Sequence, residues 1–122
     1  MRHYDTLLDE RRGPFQIIVD KTWEDLNPRD MFEDDDIDEI CRKIDNCTYD
    51  WFMLRTRVIF EGVELACEYL GGCLYEDARE VLTDGMAEDQ IYQALINAKT
   101  ELAAMKAKFA SVDVDAIDAL TV

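Results

Sequence analysis

Two periods alternate along this chain. Phe15, Ile17 and Val19 recur at every second residue behind Pro14, so Phe15–Asp20 reads as a strand with one apolar face. Ile37, Ile40, Cys41 and Ile44 instead follow the i, i+3, i+4, i+7 spacing of a helix that buries one stripe. Asp34, Asp35 and Asp36 open that helix, and Arg42 and Lys43 close it, each charge suiting the nearer end of the helix dipole. Asn46 is its expected stop. Ahead of it, Asn27-Pro28 joins a capping residue to a first-turn proline and predicts a short helical turn.

The next stretch predicts a hairpin. Trp51–Phe60 and Val63–Leu70 are separated by Glu61-Gly62, a two-residue turn. Pairing across that turn sets Phe60 opposite Val63, Val58 opposite Leu65, Thr56 opposite Cys67 and Leu54 opposite Tyr69, all on one face. The other face then pairs Arg55 with Glu68 and places Arg57 near Glu64 and Glu68. Apolar partners on one side and opposite charges on the other agree on this register.

Gly71-Gly72 should end the second strand, and a short helix is expected around Glu76–Leu82. A long helix follows over Ala87–Ala110. Its apolar positions Ile91, Leu95, Ala98, Leu102, Met105 and Phe109 step by 4 and 3 residues, a coiled-coil-like seam. Core packing on a sheet accounts for most of that seam. Leu102, Met105 and Phe109 run beyond what a three-stranded sheet covers, so a homodimer through them is a second possibility. Residues 1–13 are polar and mixed in charge and read as a loose leader, with the folded core over 14–110. Residues 111–122 place Val112, Val114, Ile117 and Leu120 between aspartates, as a frayed tail, a short helix or an added strand. The expected architecture is one α+β domain: a small three-stranded antiparallel sheet with helices on one face.

Composition supports a folded core, since 48% of the 122 residues are apolar. No run approaches the roughly 20 apolar residues of a membrane span, and no export signal is found, so a cytoplasmic location is expected. Cys41, Cys47, Cys67 and Cys73 are then thiols. Their Cys-x5-Cys spacing is too wide for zinc knuckles; Cys41 and Cys67 fall on apolar faces and read as small core residues. His3 is the single histidine, which argues against triad or multi-histidine metal chemistry. Phosphate-binding glycine loops are missing as well. Asp34, Asp36 and Asp38 mimic the start of a calcium loop, but Glu39 and Asp45 stand where Gly and Glu are needed. No enzyme activity, metal or cofactor is expected.

Charge decides more. The chain carries 28 acidic and 13 basic residues, a net charge of -15. Nine carboxylates, Glu24, Asp25, Asp30, Glu33, Asp34, Asp35, Asp36, Asp38 and Glu39, face only Arg29 between residues 24 and 39. Such a field repels nucleic acid and anionic membranes and attracts basic protein surfaces. The run is either a solvated face or a surface that presents charge to a basic groove as phosphates do. Duplex DNA carries one charge per roughly 1.7 Å, and a helix exposing two or three carboxylates per turn approaches that density.

Tyr49-Asp50-Trp51-Phe52, Gly62-Val63-Glu64-Leu65 and Tyr69-Leu70-Gly71-Gly72-Cys73-Leu74-Tyr75 resemble a hairpin of small acidic bacteriophage proteins. Size, charge and the missing catalytic set resemble, as a class, the anti-CRISPR and anti-restriction DNA mimics of phages. That resemblance implies a non-enzymatic inhibitor, in a bacterial host's cytoplasm, of a defence nuclease or CRISPR complex. The alternative is a homo-oligomeric phage structural or accessory module assembled through the last helix.

Overall fold

A computed structural model of the chain describes residues 2–33 and 35–117. Four strands, β1 (Asp5–Arg12), β2 (Phe15–Trp23), β3 (Asp50–Phe60) and β4 (Val63–Tyr75), pair antiparallel in chain order. Between β2 and β3 come α1 (Pro28–Met31) and α2 (Ile37–Asp45). After β4, a 3-10 turn at Ala78–Leu82 leads into α3 (Met86–Ala110) and then α4 (Val114–Ile117). The α+β class is as expected, with four strands instead of three.

The extra strand is β1, where a loose leader is expected. Its charged residues hide the strand pattern, because an edge strand needs only backbone pairing and a modest apolar contribution. A register shift between Thr6 and Leu8 lets both Leu7 and Leu8 pack on the core. The segment before it is tied down too: the Thr22 hydroxyl donates to the His3 carbonyl at 2.6 Å, and Arg2 lies over the Trp23 ring at 4.6 Å.

One face of the sheet is dry. Ile17, Val19, Phe52, Leu54 and Val58 meet Ile91, Ala94 and Ala98 of α3, with Val81 closing the side. Alanines at 87, 94 and 98 let the helix axis approach the strands closely, and Ile91 fills the centre of the contact. Helix α3 spans 25 residues, roughly 37 Å at 1.5 Å per residue, and its C-terminal turns overhang the hairpin.

The hairpin turn forms at Glu61-Gly62 with φ of 48° and 79°, the left-handed pair that a tight two-residue turn requires. Phe60 and Ile59 pair with Val63 and Glu64 as expected. Beyond them a bulge puts both Leu65 and Ala66 in the core, and the pairs from Val58 to Leu54 slip by one residue. Arg57 then faces Cys67, Arg55 faces Tyr69 and Leu54 faces Leu70. Cys67 is therefore on the open face of the sheet, not the apolar one, and Glu68 turns toward α3, where Asn97 donates to it. The expected pairing of Arg55 and Arg57 with glutamates does not form. Nor does Gly71-Gly72 end β4; it makes a second bulge opposite Met53, with Gly72 at φ 69°, and the strand runs on to Tyr75.

Candidate acidic interaction surface

Helices α1 and α2 carry the acidic segment off the end of the sheet. Asn27 caps α1 by accepting from the Arg29 N–H at 3.0 Å, so the helical turn expected at Asn27-Pro28 is present. The α2 helix runs to Asn46 as its apolar stripe predicts. Trp51 of β3 anchors the two ends of α1: its indole donates to the Leu26 carbonyl at 2.9 Å, and its ring packs against Phe32 at 5.7 Å. The acidic loop is held to the sheet by an aromatic clasp.

The nine sequence-predicted carboxylates divide by what they touch. Glu24 is engaged within the fold: it accepts from the Gly72 N–H at 2.7 Å and the Leu26 N–H at 3.1 Å. A Cβ on Gly71 would sit 2.8 Å from the same carboxylate, so a larger residue there would push the Glu24 side chain aside. Asp25 pairs with Arg2. Asp38 pairs with Arg29 at 2.6 Å and Glu39 with Arg42 at 2.5 Å, all on the surface. Its hydrogen bond with Asp38 raises the Arg29 pKa above its ordinary value. Asp34 lies outside the described residues. Asp36 is exposed at the N-terminus of α2. Among the described residues, Asp30, Glu33 and Asp35 are exposed and have no cationic partner. The acidic run therefore divides into Asp30, Glu33 and Asp35, without a cationic partner among the described residues, and carboxylates held in surface ion pairs.

A buried carboxylate lies elsewhere. Asp20, 2% exposed, sits on the open face of the sheet, where Arg55 donates to both its oxygens at 2.8 and 2.6 Å. Arg57 reaches the same group at 3.5 Å, and the Tyr4 ring lies 3.5 Å from the Arg55 guanidinium. The Asp20 hydrogen bond is the main reason the Arg55 pKa is raised. The cluster forms across the β2–β3 pairing, which no local spacing announces, although an aspartate inside a β-branched run is itself an unusual signal.

The cysteines divide as well. Cys73 is buried, while Cys41 and Cys67, expected as core residues, are only half-buried and Cys47 is exposed. Among the described residues, no three His, Cys, Asp or Glu side chains are grouped to hold a metal ion. Burial pushes the Cys73 thiol up to about 11. Between its ordinary value and that one, the unfolded chain gives up a proton that the folded chain keeps, so stability falls as pH rises through the window. Urea melts at about pH 8 and about pH 10.5 should show that loss, and Cys73→Ala should reduce it. At neutral pH a soluble thiol reagent should modify Cys47 first and leave Cys73 intact until urea unfolds the chain, as peptide mass mapping would read.

On α3, Leu102 and Met105 are half-buried and Phe109 is exposed. Among the described residues, no helix is long and apolar enough to cross a membrane. Compared with known protein families, curated proteins and solved structures, the chain matches none.

Proposed function

We propose that this chain is a non-enzymatic acidic inhibitor, working in the cytoplasm of a bacterial host. It occupies the basic nucleic-acid-binding surface of a defence nuclease or CRISPR complex. The observation that carries the reading is the patch of Asp30, Glu33 and Asp35, exposed and unpaired among the described residues, on a loop clasped to the sheet by Trp51. Asp25, Asp38 and Glu39 extend the patch conditionally. Surface ion pairs contribute about 0–1 kcal/mol each, so a partner's arginines can replace Arg2, Arg29 and Arg42 at little cost. The net charge of -15 steers a basic protein toward the molecule and repels nucleic acid.

The test is capture from host lysate on the immobilised chain at low salt, followed by elution in a salt gradient. A basic nuclease or ribonucleoprotein complex should elute with salt, and free duplex DNA or guide RNA should displace it. A captured protein that holds its nucleic acid and this chain together would overturn the reading, as would capture of nothing basic.

A further inference from the structure

The overhanging end of α3 forms a cleft with the hairpin tip. Phe60, Val63, Leu65, Leu102, Met105 and Phe109 line about 330 Å³ there, with Lys106 and Glu61 among its borders. The helix side of the cleft carries the reverse of the molecule's charge, since residues 96–110 hold Lys99, Lys106 and Lys108 against Glu101 alone, while the hairpin side brings Glu61 and Glu64. Two copies of a chain at -15 repel each other over most approaches, and least at this end.

Directly after α3 comes a segment of complementary chemistry. Val112, Val114 and Ile117 are 49%, 70% and 51% exposed, and Asp113 and Asp115 alternate with them. An acidic, apolar strip suits a lysine-bordered apolar cleft. Yet every residue from 106 to 117 is exposed, so the strip does not fill the cleft of its own chain. Local bonds hold it apart: Ser111 and Val112 donate to the carbonyls of Lys108 and Phe109, and the Asp113 carboxylate caps α4.

We infer that two copies exchange these elements, the Val112–Ile117 strip of each entering the α3–hairpin cleft of the other. The exchange is reciprocal, so a two-fold axis satisfies both clefts and both strips, and the assembly closes at two. It is independent of the acidic patch on α1 and α2, and a dimer would present that patch twice.

Sedimentation equilibrium of the full chain, in enough salt to screen its self-repulsion, tests the inference. The mass should rise with concentration from 14.2 kDa toward twice that value. Ile117→Asp, on an exposed strip where folding is not at risk, should weaken dimerisation at least about tenfold, since it sets a charge where an apolar side chain is buried. Lys106→Glu with Lys108→Glu should weaken it too, and adding Asp113→Lys with Asp115→Lys should restore it. A chain that stays monomeric at every concentration overturns the inference, including one whose strip gains amide protection by folding onto its own cleft. So does a dimer indifferent to Ile117→Asp and to the charge exchange, because it would use another face.

Discussion

Replacing Asp20 with alanine should destabilise the protein by about 3–5 kcal/mol, the usual loss when one partner of a buried ion pair is removed. The loss comes from what remains. Arg55 donates two hydrogen bonds to Asp20, and Arg57 lies 3.5 Å away with its Nε already lacking a partner. Without the carboxylate, two half-covered guanidiniums on adjacent same-face positions of β3 repel each other. Against a total stability of about 5–15 kcal/mol for a domain of this kind, that change is a large fraction. Asp20→Asn separates charge from shape: it keeps the volume and one acceptor, and should still lose most of the stability. Combining Asp20→Ala with Arg55→Met should cost less than the two single changes added together, since the second change removes the charge that the first strands. Urea midpoints of the unaltered protein and the four variants decide the matter. A loss under about 1 kcal/mol for Asp20→Ala would mean that the cluster is solvated and carries no structural role.

Asp20 also shows what the sequence conceals. The hairpin turn, the stripe of α2 and the long α3 are local signals, each written in spacing within a few residues, and each appears where its pattern lies. The bulge at Leu65-Ala66 is not a period but a break in one. The apolar run Leu65-Ala66-Cys67 is its local trace, and an unbroken register reads over it. That single residue of slip moves Glu68 to the helix side, and the β2–β3 pairing sets Arg55 and Arg57 beside a carboxylate 35 and 37 positions away. β1 is concealed for another reason, since an edge strand held by backbone bonds needs little apolar patterning. In the acidic segment, helix positions were legible, but ion pairing was not. The Asp25 partner Arg2 stands 23 residues away, and Glu24 is spent on a glycine bulge that only the fold brings near.

Those distinctions set the sharpest functional expectation. Reversing Asp30, Glu33 and Asp35 together to lysine should weaken binding to a basic partner by about 10²–10⁴-fold. Charge pairs made across an interface couple at about 1.5–7 kcal/mol when close, and the reversal turns attraction into repulsion at three sites. The salt dependence should fall with it. If carboxylates displace counterions from the partner's groove as phosphates do, the log–log slope should drop by about one per lost contact. Folding should be unaffected or slightly improved at low salt, because these side chains are exposed and the change relieves self-repulsion. The matched comparison is Asp25, Asp38 and Glu39 changed to asparagine or glutamine. These groups are already neutralised by Arg2, Arg29 and Arg42, so binding should weaken less, by about tenfold or under. Titration calorimetry across a range of salt concentrations reads affinity and slope together. Equal losses from the two sets would show that only net charge matters. No loss from the first set would show that the partner, whatever it is, does not bind at α1 and α2.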